Sequence, residues 1–407
     1  MMGRQHYDIV VVGAGLVGLS VSMLLEKLGY RIALVDPKTQ PAPLSEKFDH
    51  RTYAISPASM RLFDRLGVYD AMDRSRITEF FDMQVWDANS NGTVQFSAHE
   101  LGRDRLGWIV EHSNLMIALT EALFTLDNVD RITGSVNAIE QDESIVGLIL
   151  DNGEQLRAPL VLGCDGANSR VRSLLNMSAK VRDYVQHSIL CNVEIELPHA
   201  QTARQRFLTT GPLAFLPLPN PHECSIIWST TREQASQVVK ASDSDFHSIL
   251  GAAFEHRLGA IQSSGKRLVV PLQALHTKQY ISGRTALLGD AAHVVHPLAG
   301  QGLNLGLMDA AALAQVLGSR EDMTLRFLLN KLRRYERMRR GENLAMLKLT
   351  EELNQLFCDD HSLTRCLRGT GMQFVDRMTP IKKWLMLRAM GDVGDVPIIA
   401  SYQSELK

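Results

Sequence analysis

The 407-residue chain is short of several things, and each shortage excludes something. No uninterrupted run of about 18 apolar residues occurs, so no membrane-spanning helix is expected. The five cysteines, Cys164, Cys191, Cys224, Cys358 and Cys366, are odd in number, scattered and never spaced CxxC. That argues against a disulfide framework or a zinc site and fits a reducing compartment. Neither charge sign dominates: the formal net charge is -2, which gives no general affinity for nucleic acid. Internal repeats and low-complexity tracts are absent. The apolar run in MMGRQHYDIVVVGAG leads into glycines without a cleavage site, so it reads as a buried strand and not a signal peptide.

What remains is an ordinary globular composition, 45% hydrophobic and 22% charged, in a chain too long for one core. Two or three domains are expected. The most specific local signal lies at the start. Residues 9–12 (IVVV) form an apolar β-branched run suited to a parallel strand buried on both faces. Gly13, Gly15 and Gly18 follow with GxGxxG spacing, residues 16–28 have helical periodicity, and residues 31–35 form a second apolar run ending in Asp36. In this pattern the first glycine permits the tight turn and the second lets backbone approach a pyrophosphate. The third allows close helix–strand packing, and the helix N-terminus offers unpaired N–H groups to phosphate. Asp36 stands where a carboxylate accepts hydrogen bonds from a ribose diol. A glycine-rich turn in a generic α/β unit is the plainer alternative. The full order of strand, glycines, helix, strand and acid favours a dinucleotide site, without distinguishing NAD from FAD.

The regular alternation then stops. Residues 51–66 read as helical, residues 81–98 as a hairpin turning at Asn91-Gly92, and residues 113–126 as a helix capped by Ser113. Residues 131–163 read as a meander with a turn at Asp151-Asn152-Gly153, ending in a buried strand at 160–162. Residues 184–273 hold several strand-like runs, among them GPLAFLPLP and CSIIWST, which suggest an inserted antiparallel sheet. Residues 305–407 read as mostly helical. Two further segments repeat the strand–glycine–acid pattern. LVLGCDGANSRVR (160–172) delivers Asp165 and Gly166 to a strand end, where α/β sheets bind ligands. Taken alone, Asp165 reads as a turn-capping residue and Arg170 as a solvated surface charge. GDAAHVVHPLAGQGLNLG (289–306) places Asp290 after a strand, then a small-residue loop and a helix whose N-terminal dipole would stabilise negative charge. His293 and His296 lie three apart, but Pro297 argues for a loop and no third ligand cluster is visible. Packing and hydrogen bonding suit both histidines better than a metal.

These three segments, in this order and spacing, resemble the motifs of the single-component FAD-dependent aromatic hydroxylases, typified by para-hydroxybenzoate hydroxylase. FDHRTYAIS (48–56), GPLAFLP (211–217) and HPLAGQGLNLG (296–306) are most similar to the ubiquinone-biosynthesis UbiH/UbiI/UbiF group. The resemblance implies an α/β fold: a Rossmann-like FAD-binding domain with an inserted antiparallel-sheet substrate domain and a helical C-terminus. The expected division is 1–75, 100–180 and 274–330 for FAD, 76–99 and 181–273 for substrate, and 331–407 for the helical region.

Carried onto this sequence, the resemblance puts Gly13, Gly15 and Gly18 at the FAD pyrophosphate and Asp36 at the adenosine ribose, where the family usually has Glu. It brings Arg51 to the phosphates and the nicotinamide, and makes His112 a polar FAD contact. It assigns Asp165 and Gly166 to both FAD and NAD(P)H, and Asp290 to the ribityl chain and pyrophosphate. Gly302, Leu303 and Asn304 would offer backbone to the flavin ring, and Pro297 its carbonyl to the substrate hydroxyl. The implied reaction is hydroxylation of a polyprenylated phenol or quinol, with NAD(P)H as transient co-substrate and O₂ added through a flavin hydroperoxide. The cofactor carries that chemistry, and the absence of a Ser–His–Asp set or metal cluster agrees with it.

The ring is expected between the flavin edge and loop 297–302, in a pocket against the inserted sheet. Residues 374–391, basic and apolar by turns, read either as an amphipathic helix on an anionic membrane or as a helix packed on the FAD domain. A cytoplasmic protein, peripheral at the inner membrane face or within a ubiquinone-biosynthesis complex and without nucleic-acid partners, is the resulting expectation. The competing readings are a hydroxylase of a soluble aromatic acid such as kynurenine, a flavin reductase, a non-catalytic FAD-binding assembly factor and a plain NAD dehydrogenase. Arg204 and Arg206 keep a carboxylate clamp open.

Overall fold

A computed structural model describes residues 6–38, 43–320 and 323–402. The run IVVV is the strand Ile9–Val12, with all four residues buried. It sits between Leu160–Gly163 and Ile32–Asp36, parallel to both. Val129–Thr133 extends the sheet beyond Ile32–Asp36, and Thr285–Leu287 and Ile281–Ser282 extend it on the other side. Burial on both faces explains why the central runs are continuously apolar instead of alternating. The helices Leu16–Glu26 and Gln301–Leu317 pack against each other and share one core with this sheet.

The second large sheet has nine strands. Its backbone is the 17-residue strand Ala179–Ile195, paired antiparallel with Glu223–Thr231 and Leu268–Thr277. The hairpin Asp82–Asp87 and Thr93–Ser97 joins its far edge, through a parallel pairing with Thr202–Leu208. One face carries Ile189, Cys191, Phe215, Ile226 and Trp228. These pack against Phe246, Leu250 and Phe254 from the helix Asp243–Ala253 and its end. The short strand His293–Val294 pairs with the near edge, so the third motif is stitched into this sheet.

Several sequence expectations are corrected. Residues 51–66 are not one helix: Thr52–Ile55 is a strand, and the helix Pro57–Arg65 begins after Ser56, whose side chain accepts the Ser59 N–H. Pro57 suits a first helical position and cannot lie inside a helix. Ile77–Phe80 pairs with Gly107–Glu111, beside Thr52–Ile55, and not with the large sheet. The helix expected at 113–126 is His112–Phe124; Glu111 precedes it and Ser113 lies inside. The expected meander loses its first strand, Val129–Thr133, to the parallel sheet. The single helix expected at 374–391 is two, Ser362–Arg377 and Thr379–Ala389, broken at Met378. Pro380 supplies no N–H to continue the ladder and disfavours helical backbone before it.

The hairpin at 81–98, the turn at 151–153 and the helical C-terminus are as expected. The last region is dominated by the 34-residue helix Leu325–Cys358. Among the described residues no helix is long and apolar enough to cross a membrane.

Candidate functional site

The first turn has the geometry that its glycines require. Gly13 has φ of +103°, and a Cβ there would lie 2.5 Å from the Cys164 carbonyl oxygen. A Cβ on Gly18 would lie 1.8 Å from the Gly13 carbonyl oxygen, so helix and strand meet there with no room for a side chain. A Cβ on Gly15 would meet nothing within 4 Å. Open space therefore stands before the N-terminus of Leu16–Glu26, which has no side-chain cap. A pyrophosphate fits such a place. Asp36 closes the same corner. Its Oδ2 accepts the Ala14 N–H at 2.7 Å and its Oδ1 the Lys38 N–H at 2.8 Å. Each carboxylate oxygen keeps a lone pair for a ribose hydroxyl.

Asp290 lies one residue after Gly289, which has φ +57°. Its side chain is reachable by solvent, yet protein surrounds it. That enclosure pushes its carboxyl up, while His293 and Arg51 pull it down. An accessible carboxylate in such surroundings suits polyol hydroxyls. Arg51 stands over Tyr53, with its guanidinium carbon 5.3 Å from the ring centre, and Tyr53 Oη is 3.2 Å from His112 Nδ1. Burial first, and Arg51 second, lower the His112 pKa to about 4. Arg51, Tyr53, His112 and Asp290 thus converge from three elements. At Gly300, φ is +62° and a Cβ would press on the Ala54 side chain at 3.2 Å. The helix Gln301–Leu317 follows without a side-chain cap, leaving the N–H groups of its first turn, Gly302 and Leu303 included, for a ligand. The Asn304 side chain is otherwise engaged: it accepts the Ser56 N–H and donates to the carbonyls of Ala54 and Gly300.

In the second motif Asp165 is committed to its own turn. It accepts Ser169 Oγ at 2.6 Å and the N–H groups of Arg170 and Val171. Gly166, at φ +78°, has open space before it. Arg172 donates to the carbonyls of Ala167 and Ala291, which ties the second motif to the third. Both histidines of the third motif are buried and hydrogen-bonded, and the described residues contain no metal-binding cluster.

Sequence reasoning missed the support behind this loop. Asp309, fully buried, accepts His293 Nε2, Arg339 Nε, Asn343 Nδ2 and the Gly289 N–H. About two and a half turns of helix separate Asp309 from Gly300, and only an unexplained acid on an apolar helix face would have hinted at it. It missed as well the sheet face that looks toward loop 293–300. Gln186, Ser188, Leu190 and Asn192 alternate with residues of the helix-covered face, and Ser225, Ile227 and Ser229 lie opposite them. One end of this face is pinned to the FAD side, through Thr52 Oγ1 donating to Ser225 and Asn192 donating to the carbonyls of Phe48 and Asp49. The other end is pinned through Gln186 to His296. Pro297 follows His296, and Leu298 packs with Val85 and Phe207 of the same sheet.

A mostly parallel sheet with a glycine turn at its centre, carrying acids at three strand ends, defines a dinucleotide-binding α/β protein with an appended sheet domain. The FAD binding domain family model matches residues 6–322, and the chain belongs to that family. It is 32% identical over 386 residues to ubiquinone hydroxylase UbiL of Rhodospirillum rubrum, covering 94% of this chain and 89% of that protein. It is likewise 32% identical to the 3-demethoxyubiquinol 3-hydroxylase of Escherichia coli, covering 96% and 100%. It is 30% identical to the human mitochondrial ubiquinone biosynthesis monooxygenase COQ6, covering 93% and 92%. In fold it is similar to p-nitrophenol 4-monooxygenase PnpA of Pseudomonas putida, with TM-score 0.76, 20% identity and coverage of 95% and 98%.

Proposed function

We propose that this protein is an FAD-dependent, NAD(P)H-consuming monooxygenase that hydroxylates the ring of a polyprenylated phenol or quinol in ubiquinone biosynthesis. The observation that carries the substrate class is the chemistry of the sheet face opposite loop 293–300. Leu190, Ile227, Ala214, Phe207 and Val85 line it, with serines and amides, and the charged side chain beside Phe207 on this face, Asp87, is neutralised by buried Arg368. Arg204 and Arg206 point the other way. Arg204 donates to the carbonyls of His199 and Thr202, and Arg206 to those of Ala252 and Ala253 and to Glu255. The cation at the Phe207 end of the face, Arg368, is already paired with Asp87, so a soluble aromatic acid would have to compete with an internal carboxylate for it. The face continues outward past Leu268 to Val270, which is 44% exposed, an apolar path for a tail worth about 0.8 kcal/mol per buried methylene.

In this reading Gly13, Gly15 and Gly18 admit the pyrophosphate, Asp36 holds the ribose, and Arg51 and His112 stand at the phosphates. Asp290 holds the ribityl chain, and the backbone of Gly302, Leu303 and Asn304 binds the flavin ring. Gly166 leaves room for the nicotinamide beside Asp165. Pro297 faces the substrate, its carbonyl already accepting the Gly300 N–H at 3.2 Å. Bound FAD would supply the electron transfer and the oxygen activation. The chain orients the ring, keeps water out and balances flavin charge with the helix dipole.

The lipid substrate gives a role to the C-terminal helices. Leu363, Leu367, Phe374 and Trp384 are 77%, 72%, 53% and 51% exposed, near the exposed Arg377. We take this stripe as a contact with an anionic membrane surface. Lys382 is not part of it, being buried against Glu100 and Asp376.

The test is coupled uptake of oxygen and NAD(P)H with short-tailed prenylphenols, beside hydroxybenzoate and kynurenine. Coupled turnover is expected with the prenylphenols; faster turnover of either acid would overturn the substrate class. Flotation with anionic liposomes should fall when Leu363 and Leu367 are replaced by serine. Equal flotation would remove the membrane contact.

A further inference from the structure

Buried polar atoms almost always find partners, so a group of them without any marks a place for something that is not protein. Three such atoms belong to the end of the sheet face that is pinned to the loop before Pro297: Ser188 Oγ and Ser229 Oγ on the sheet and His296 Nδ1 on the loop; a fourth, Tyr184 Oη, is on the residue that meets the His296 ring. Ser188 and Ser229 are paired across the ladder, so both side chains point to the same side, and they are 3% and 1% exposed. His296 is fully buried. Gln186, two residues before Ser188 and on the same face, connects them to His296. A Cβ at Gly211 would fall 2.5 Å from the Ser229 carbonyl oxygen and 3.1 Å from Gln186 Nε2, so the backbone packs tightly here and holds Gln186 and Ser229 in place.

The hydrogen bonds fix which nitrogen of His296 carries the proton. Gln186 Nε2 donates to the Thr210 carbonyl at 2.7 Å, which orients the amide. Its Oε1 therefore faces His296 Nε2 at 3.3 Å and Asn354 Nδ2 at 3.2 Å. An amide oxygen can only accept, so Nε2 must donate. Burial holds the imidazole neutral, with its pKa lowered to about 4, and a neutral ring has one N–H. Nδ1 is left as a lone pair without a donor. Tyr184 meets the ring edge-on with centroids 4.9 Å apart, and offers Nδ1 no bond.

We propose that His296 Nδ1 accepts the hydrogen of a phenolic hydroxyl on the substrate ring, while Ser188 and Ser229 hydroxyls serve that oxygen and its neighbour; this rests on the ring-hydroxylase reading above. The set is selective. A phenol or quinol O–H gives its hydrogen to Nδ1 and accepts from a serine. A methyl ether has no hydrogen to give, and a carboxylate brings a charge with no cation to meet it. Such a bond draws the phenolic proton away from the ring, which is the polarisation that makes the ring carbon more electron-rich.

The assignment is tested on holoenzyme by titrating a short-tailed prenylphenol and its O-methyl ether and following the change in flavin absorbance. The parent is expected to bind the phenol about tenfold or more tightly than the ether. His296→Ala should bring that ratio close to one. His296→Asn, whose amide oxygen falls near the Nδ1 position, should restore part of it. The ratio is insensitive to a general loss of stability, and flavin content confirms that each variant is folded. Should His296→Ala fail to yield holoenzyme, the double variant Ser188→Ala, Ser229→Ala should lower the same ratio. Discrimination that survives in these variants, or a parent that binds both ligands equally, would overturn the assignment and leave the hydroxylase reading standing. A parent that binds neither ligand would take both down together.

Discussion

Asp309 Oδ2 lies 2.5 Å from His293 Nε2 and 3.1 Å from the backbone nitrogen of Gly289, so one carboxylate holds both sides of the turn that presents Asp290. Its other oxygen accepts Arg339 Nε at 2.8 Å and Asn343 Nδ2 at 3.0 Å from the long helix Leu325–Cys358. The cofactor loop is thereby wired to the C-terminal region. Burial works against the charge on Asp309, but His293 and Arg339 outweigh it and hold the carboxyl far below the usual range.

Removing that carboxylate strands Arg339 in the core. Asp309→Ala is expected to cost about 3–5 kcal/mol, the range for breaking a buried pair from one side, and to release flavin. Asp309→Asn keeps the acceptor and should cost less. Thermal unfolding with flavin content as a second readout checks this. A melting temperature equal to the parent's would show that the network carries no stability.

The glycines of the first turn separate folding from binding. Gly18→Ala puts a methyl group 1.8 Å from the Gly13 carbonyl oxygen, so it should lower stability or abolish soluble protein. Gly15→Ala meets nothing within 4 Å and should fold within about 1 kcal/mol of the parent, yet lose FAD affinity. Full FAD occupancy in Gly15→Ala would remove the pyrophosphate from that position.

Among the described residues Asp290 has no hydrogen-bond partner that would explain it as a turn cap, unlike Asp165 with its three. Asp290→Ala should weaken FAD by about 1.5–3 kcal/mol per lost charge-assisted bond, roughly ten- to a hundredfold, with little change in the stability of the apoprotein. The readout is the dissociation constant of FAD from flavin fluorescence. Unchanged affinity would return Asp290 to a structural role.

His296 predicts a slope with pH. Its folded pKa, about 4, lies below the unfolded value near 6.5, so the neutral form is the stable one in the fold. The stability it contributes is complete above about pH 6.5. It is lost as pH falls toward 4, by about 1.4 kcal/mol per unit in between. Of the side chains around it, Gln186 and Asn354 are uncharged, and Tyr184 and Cys358, both pushed up by burial, stay neutral across this range. Denaturant unfolding at pH 7 and pH 5 should therefore show a smaller difference in His296→Asn than in the parent. Equal differences would show that His296 is not held neutral.

The sequence by itself determined the elements whose cause is local. The run IVVV can only be satisfied between two other strands, and three glycines with fixed spacing admit one turn. The acids Asp36 and Asp290 come at or just beyond the ends of such strands and must reach the carboxyl edge of the sheet. Where neighbours decide, local reasoning failed. Residues 51–66 have helical periodicity throughout, but Thr52–Ile55 gains more by pairing with Gly107–Glu111, a partner more than fifty residues away. Ser188 and Ser229 look like ordinary strand serines. They become a site only because a long antiparallel ladder sets them side by side, and because Gln186 turns His296 so that its bare nitrogen is left over. Hydrogen-bond satisfaction is a property of the assembled interior, and no window of sequence contains it.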